Sequence, residues 1–208
     1  MFGGMPSGRH LTRDGGTRGT YTSGVDVIDF SGPAEWDSWL DARHEDRTEA
    51  WLRIGKRHSG AGLIMISDAL DVSLCYGWID GQRKAYDDVS FLQRYSRRRP
   101  GSSWSKINVA KAEALIAAGR MRPAGLIEIH AAQADGRWEA AYESQRTAVV
   151  PADLTAALAG NPSASAAFER LDRSARYALI LPLLKARTPE TRAGVLTRIV
   201  ERLAAQDG

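Results

Sequence analysis

The spacing of apolar residues divides the chain into a strand-containing first part and a helical second part. Alternating apolar positions predict strands over residues 25–30 and 50–56, and a hairpin made of residues 78–86 and 89–97. Helical spacing predicts one helix that is capped by Ser31 and ends near Arg43, and another that is capped by Ser67. The first part therefore combines a small sheet with helices.

Beyond residue 105 the pattern is helical. Ser105 or Asn108 is expected to cap a helix that ends at Gly119, and Pro123 opens another that runs to Asp135. Four more helices are predicted over residues 151–159, 162–171, 174–185 and 189–205. Three of them have proline in the first turn, and Ser174 is expected to cap the other. The predicted fold class is α+β, with a small antiparallel β-sheet and packed helices followed by an all-helical C-terminal subdomain.

Composition sets three expected segments. Residues 1–24 are rich in Gly, Arg, Ser and Thr and lack apolar periodicity, so a disordered leader is expected there. Residues 25–148 are expected to form the α+β domain that carries the binding pocket. Residues 149–208 become rich in Ala, Leu and Arg, which is typical of a helical subdomain.

The overall composition excludes several classes of site. A single cysteine rules out an internal disulfide and a cysteine-based zinc site, and it favours a reducing, cytoplasmic setting. The four histidines lack metal-ligand spacing, and nucleotide-binding glycine motifs are missing, so neither a metal nor a cofactor is expected. Apolar runs are too short for membrane insertion.

The basic charge of the chain is concentrated in one segment. Between Asp80 and Lys111 there are eight Lys or Arg and three Asp or Glu, a balance of +5, whereas the whole chain is +3. A localised basic surface with tryptophans predicts an anionic or aromatic ligand. The candidate ligand-binding residues are Trp78, Asp80, Arg98, Arg99, Trp104, Ser105 and Asn108. The alternative is that these residues are helix caps, turn residues and surface charges.

The same segment allows a catalytic interpretation. Asp80 could act as a general base, Arg98 with its neighbour Arg99 could stabilise an oxyanion, and Cys75 could be a nucleophile. The dipole at the C-terminal end of a helix opposes thiolate formation, which favours Cys75 as a small buried apolar residue.

Several motifs resemble one bacterial family. They are SLCYGWIDG from Ser73, FLQRYSRRRP from Phe91, SSWSKIN from Ser102, GRMRPAG from Gly119 and DGRWEAAY from Asp135, followed by the helical tail. Together they are similar to the YdeI/OmpD-associated family, which implies a link to bacteriocin protection. The family pattern has Thr-Pro-Arg-Arg where this chain has Ser96-Arg-Arg-Arg, so Arg97 replaces a proline.

Three functions remain open from the sequence. The first is a cytoplasmic small-ligand-binding protein of the stress or antimicrobial-resistance type, which takes an anionic or planar polar molecule. The second is a cofactor-independent enzyme of specialised metabolism, such as an acid/base isomerase, cyclase or hydrolase. Nucleic-acid binding through the basic segment is the weaker third hypothesis, and the oligomeric state stays undetermined.

Overall fold

The protein divides into two compact units. The structure is a computed structural model that describes residues 19–22 and 25–205. The first unit contains the described residues up to Ser73 together with Trp78–Arg97. The second unit contains Leu74–Gly77 and the described chain from Arg98 onward.

A five-stranded sheet forms the body of the first unit. Its strands are β1 (Gly19–Thr22), β2 (Val25–Asp29), β3 (Glu49–Gly55), β4 (Trp78–Ala85) and β5 (Ser90–Arg97). They lie in the order β1-β2-β3-β5-β4, and each pair of neighbours is antiparallel except β2 and β3. Helix α1 (Pro33–Arg43) lies between β2 and β3 in the chain and supplies the crossover that a parallel pair requires. The predicted α+β class is confirmed, with a sheet that is mostly antiparallel.

Trp36 on α1 joins the helices of this unit to the sheet. Its indole is fully buried, and its ring centroid lies 6.0 Å from that of Tyr95 and 6.2 Å from that of Trp78. Its Nε1–H donates to Ser73 Oγ at 3.1 Å, on helix α2 (Ile66–Cys75). One side chain therefore contributes both aromatic packing and a satisfied polar group to the core.

The hairpin of β4 and β5 is fixed by side chains at its turn and at a bulge. Asp87 Oδ1 accepts hydrogen bonds from the backbone N–H of Val89 and from both the N–H and the hydroxyl of Ser90. The register shifts between Asp80 and Arg83, and buried Gln93 donates to the carbonyl oxygens of Gly81 and Gln82 inside this bulge. These bonds satisfy backbone groups that the strand ladder leaves open.

The second unit is helical. Its helices are α3 (Lys106–Ala117), α4 (Pro123–Ala134), α5 (Ala152–Ala159), α6 (Pro162–Arg170), α7 (Arg173–Lys185) and α8 (Pro189–Ala204). Asn161, Asp172 and Thr188 cap α6, α7 and α8, because each side chain accepts a hydrogen bond from a backbone N–H of the first turn. The predicted helices and strands of both units are confirmed within a few residues at their ends.

Helices α5 to α8 share one apolar core. Its buried members include Leu154, Phe168, Leu183 and Ile199. Arg192 on α8 closes one side of this core, because its Nε and Nη2 donate to the Asp153 carboxylate at 2.6 Å and 2.9 Å. This forked pair positions α8 against α5.

Three predicted caps are wrong. The N-cap of α1 is Gly32 rather than Ser31, because Glu35 reaches back to accept a hydrogen bond from the Ser31 N–H. Helix α2 begins at Ile66, before Ser67, and α7 is capped by Asp172 rather than Ser174. Each error is a shift of one or two residues, which is the usual uncertainty of helix ends.

The segment boundaries predicted near residues 24 and 148 have different outcomes. Residues 19–22 form β1, although the sequence places them in the leader, and residues 1–18 and 23–24 lie outside the described residues. The predicted boundary near residue 148 stays a prediction. Within the described part of the chain, each helix is too short or too polar to cross a lipid bilayer.

Replacing Asp87 with Asn should reduce the pH dependence of stability in acid. Hydrogen bonding, chiefly from the Ser90 hydroxyl, lowers the pKa of Asp87 from 3.8 to about 2. The ionised carboxylate therefore stabilises the folded state above pH ~4, and this contribution disappears as the pH falls from ~4 to ~2. Urea unfolding over this interval should show a smaller loss of unfolding free energy for Asp87→Asn than for the natural chain. The exposed neighbour Asp88 provides the control, since Asp88→Asn should keep the original slope. Equal slopes for Asp87→Asn and the natural chain would contradict the assignment.

Replacing Gly125 with Ala should destabilise the second unit. A Cβ atom at this position on α4 would lie 2.4 Å from the Cys75 carbonyl oxygen and 2.5 Å from Met121 Sδ. The unfolding free energy should fall by about 1–3 kcal/mol, because overpacking forces the backbone apart. Thermal and urea unfolding measure the effect.

Gly160 is a matched control for that substitution. Its φ is −82°, and an added Cβ would lie 3.6 Å from the Ala157 carbonyl oxygen, which is ordinary contact. Gly160→Ala should leave the stability unchanged or slightly raised. A Gly125→Ala variant as stable as Gly160→Ala would refute the close approach at Cys75.

Candidate functional site

The three arginines at the end of β5 have three different surroundings. Arg97 belongs to the first unit, where its guanidinium donates to the backbone carbonyl oxygens of His44 and Glu45. Arg98 begins the second unit and is only 3% exposed, whereas Arg99 is exposed. The triplet is therefore not a single cationic patch.

Arg98 lies against the face of Trp104. The guanidinium carbon is 3.6 Å from the ring centroid, and Nη1 donates to the Ser103 carbonyl oxygen at 3.3 Å. Trp104 is 2% exposed, and its other neighbour is Trp138, with ring centroids 4.8 Å apart. The electron-rich face of an indole stabilises a buried cation. Arg98 and Trp104, which the sequence predicts to face a ligand, thus pack against each other and stabilise the loop.

A second buried arginine, Arg137, holds the same loop from another side. Its Nε donates to both carboxylate oxygens of Asp135, at 2.6 Å and 2.8 Å, and its Nη1 donates to the Ser102 carbonyl oxygen at 2.9 Å. The consecutive carbonyls of Ser102 and Ser103 are each fixed by a different guanidinium. The loop before α3 is therefore held in one conformation by charged hydrogen bonds.

Ser105 and Asn108 form the cap of α3. Ser105 Oγ accepts a hydrogen bond from the Asn108 backbone N–H at 3.2 Å. The Lys106 N–H donates to the Tyr142 carbonyl oxygen at 2.9 Å, and the Tyr142 N–H donates to the Trp104 carbonyl oxygen at 3.0 Å. The N–H of Lys106 is therefore already bonded within the unit, to the segment at Tyr142.

A cleft of about 230 Å³ lies beside this loop in the second unit. Three segments supply its walls, namely the loop before α3, the residues after α4 and the end of α7. The lining residues are Ser103, Gly136, Arg137, Ala140, Tyr142, Leu184, Lys185, Ala186 and Arg187.

The cleft carries a net positive charge. Lys185 Nζ lies 4.8 Å from the centroid of the Tyr142 ring, and Arg187 donates to the Asp135 backbone carbonyl. Hydrogen bonding and charge from Arg137, with a smaller effect of Arg187, lower the pKa of Asp135, so its carboxylate is ionised at neutral pH. Three cations against one carboxylate leave a balance of about +2 around the cleft.

Trp78 and Asp80 belong to the first unit. Trp78 is fully buried, and its ring lies edge-on to Trp36 and Trp39 at 6.2 Å and 6.1 Å. Asp80 is exposed and stands opposite Tyr95 in the strand register. Burial raises the pKa of Tyr95, and the charge of Asp80 raises it further, so the phenol stays neutral. Trp78 is a core residue, because aromatic packing encloses it.

Cys75 is also buried. It is 2% exposed, and its backbone carbonyl accepts a hydrogen bond from the Arg122 N–H at 3.1 Å. The close packing of Gly125 against this carbonyl leaves no room for a substrate on that side. A catalytic role of Cys75, Asp80 and Arg98 stays a prediction, and the surroundings of Cys75 do not favour it.

The predicted site residues are thus divided between the two units. Trp78 and Asp80 are in the first, and the residues from Arg98 to Asn108 are in the second, where Arg98 and Trp104 are in direct contact. Neither unit by itself contains the whole predicted set. Whether all seven residues contact one ligand stays a prediction.

The cations that line the cleft are residues that the sequence did not single out. Arg137 lies in the motif DGRW, and Lys185 and Arg187 lie at the end of α7. Basic residues at a helix C-terminus are common, since they complement the helix dipole. The one available signal was the pairing of Asp135 and Arg137 in a motif that also contains Trp138.

Metal ligands do not cluster in the described part of the chain. Among those residues, no group of three or more His, Cys, Asp or Glu side chains is placed to hold a metal ion.

Two known families match different parts of the chain. Residues 28–128 match a domain of unknown function, DUF8412. Residues 147–206 match the family described as bacteriocin-protection, YdeI or OmpD-associated. No curated protein and no solved structure matches the chain. The second match covers α5 to α8, which include the tail that resembles this family in sequence. Over residues 147–206 the chain is therefore similar to the YdeI/OmpD-associated, bacteriocin-protection family, which supports the resemblance seen in its sequence.

Proposed function

We propose that this protein binds a small anionic or planar polar molecule as part of a stress or bacteriocin-protection response. The observation that carries the proposal is the cleft of the second unit, which is lined by Arg137, Lys185 and Arg187 and where Lys185 lies over the ring of Tyr142. Convergent cations next to an aromatic ring favour a ligand that has a carboxylate or phosphate group.

The three cations would contribute differently to binding. Arg137 is 4% exposed and already fixed by Asp135 and Ser102, so it would supply an oriented positive charge at little entropic cost. Lys185 and Arg187 are exposed, so their side chains can close over a ligand. The cleft volume of about 230 Å³ suits a small ligand, because drug-sized pockets span about 300–1,000 Å³.

Four of the residues predicted from the sequence, Arg98, Trp104, Ser105 and Asn108, would support the loop that forms one wall of this cleft. Arg98 and Trp104 keep the Ser102–Ser103 loop in place, and Ser105 with Asn108 fixes the start of α3. Their contribution to binding would therefore be indirect, through the position of Ser103.

Lys185→Gln and Arg187→Gln should each weaken the binding of small polar anions. A hydrogen bond to a charged group contributes about 1.5–3 kcal/mol, so each loss should weaken binding by about tenfold or more. The probes are inorganic phosphate and oxalate, and the measurement is a titration followed by backbone amide shifts in nuclear magnetic resonance spectra. The shifts should be concentrated at residues 103, 136–142 and 184–187.

Arg120→Gln is the matched control. Arg120 is exposed, does not line the cleft, and its replacement removes the same unit of charge. It should leave the dissociation constants nearly unchanged. The proposal fails if Arg120→Gln weakens binding as much as Lys185→Gln, or if neither probe shifts the amides of the cleft.

A further inference from the structure

A second cleft, with a different chemical character, lies among the C-terminal helices of the same unit. Its volume is about 360 Å³, and it is formed by the segment before α5, the residue that ends α6 and one side of α7. The lining residues are Gln145, Ala148, Val150, Leu171, Arg173, Arg176, Tyr177 and Ile180. None of them lines the cleft at Lys185 and Arg187.

The floor of this second cleft is apolar. Ile180 is part of the buried core of α5 to α8, and Ala148, Val150 and Leu171 pack against that core while remaining partly exposed. A ligand in the cleft would cover apolar surface that the fold leaves in contact with water. Burial of such surface favours binding by roughly 25 cal/mol per Å² before the costs of association.

Two arginines stand at the edge of this floor. Arg173 Nη2 donates to the Arg146 backbone carbonyl at 2.6 Å, and Arg176 Nη2 donates to the Glu169 backbone carbonyl. These acceptors are neutral carbonyls, so the bonds orient the guanidinium groups without cancelling their charge. Arg176 Nε is buried and has no hydrogen-bond partner within the described residues. A buried donor of this kind is rare in folded proteins.

The polar groups next to the arginines are neutral. Tyr177 donates its hydroxyl to the Glu143 carbonyl oxygen at 2.9 Å, and burial raises the pKa of this phenol, so it stays uncharged. Gln145 donates to Ser174 Oγ at 2.8 Å. The lining contains no acidic side chain. The positive potential of the two arginines therefore favours an anionic ligand in the cleft.

We propose that this second cleft binds an amphipathic monoanion, an alkyl or aryl chain that ends in a carboxylate. The chain would lie on Val150, Leu171 and Ile180, and the carboxylate would accept hydrogen bonds from Arg173 and Arg176. A guanidinium matches the two oxygens of a carboxylate with two of its N–H groups. The apolar floor distinguishes this ligand class from the small polar anions proposed for the first cleft.

Three probes distinguish the contribution of the alkyl chain from that of the carboxylate. They are octanoate, octanol and acetate. Octanoate should bind with amide shifts concentrated at residues 145–150 and 171–180. Octanol keeps the chain without the charge, and acetate keeps the charge without the chain, so each should bind at least about tenfold more weakly than octanoate. Equal affinity for octanoate and octanol would show that the arginines do not recognise the ligand and would overturn the proposal. Absence of octanoate shifts in these segments would overturn it as well.

Variants test the arginines directly. Arg173→Gln and Arg176→Gln should each weaken octanoate binding by about tenfold, whereas Arg198→Gln, at an exposed position on α8 that does not line the cleft, should not. Arg176 also lies 5.2 Å from the centroid of the Phe168 ring in the core, so its replacement could unfold the helices. In that event Arg173→Gln decides the outcome, and equal affinities for Arg173→Gln and Arg198→Gln would refute the proposal.

The binding proposals for the two clefts can be tested separately. Lys185→Gln should weaken phosphate and oxalate binding and leave octanoate binding intact, and Arg173→Gln should do the reverse. Loss of both ligands in either variant, with the fold preserved by circular dichroism, would show that a single site accounts for all binding and would exclude a second one.

Discussion

The burial of two guanidinium groups, those of Arg98 and Arg137, is the constraint on which the candidate site depends. A buried cation is strongly unfavourable unless nearby groups compensate its charge and satisfy its donors. Here the compensation comes from the face of Trp104, the carboxylate of Asp135 and the carbonyls of Ser102 and Ser103. These partners come from separate segments of the chain, so the contacts of the two cations also fix the loop before α3 against the segment after α4. The contacts that compensate the two cations therefore also position Ser103 and Arg137 in the wall of the polar cleft.

Much of the secondary structure could be predicted because its signals are local. Proline in the first turn marks α1, α4, α6 and α8, and alternating apolar residues in the sequence mark β3 and β5. The parallel pairing of β2 with β3 was missed, since pairing direction depends on where a crossover helix packs and leaves no mark in either strand. The wrong cap of α7 has a local origin, because Asp172 and Ser174 lie two residues apart and both side chains can accept a bond from the first turn.

The site was harder to predict because burial is not a local property. Arg97, Arg98 and Arg99 are identical neighbours, yet one bonds to carbonyls of the α1–β3 connection, one is buried on a tryptophan and one is exposed. Position 97 also needs an N–H group, since its backbone N–H donates to the Thr48 carbonyl at 3.1 Å, which a proline could not do. The motifs drew attention to the loop before α3 but not to Lys185 and Arg187, which lie about eighty residues later in the chain.

The bulge in β4 affects whether two copies of the protein can pair through their sheet edges at high concentration. Strand β4 lies at one edge of the sheet. If it were regular, its unpaired backbone groups could bind the same strand of another copy. The register shift between Asp80 and Arg83 makes that ladder irregular, and Gln93 binds the carbonyls of Gly81 and Gln82 inside the bulge. Arg83 and Lys84 add like charges along the exposed segment, which would repel an identical strand. The bulge in β4 therefore disfavours edge-to-edge aggregation of this sheet.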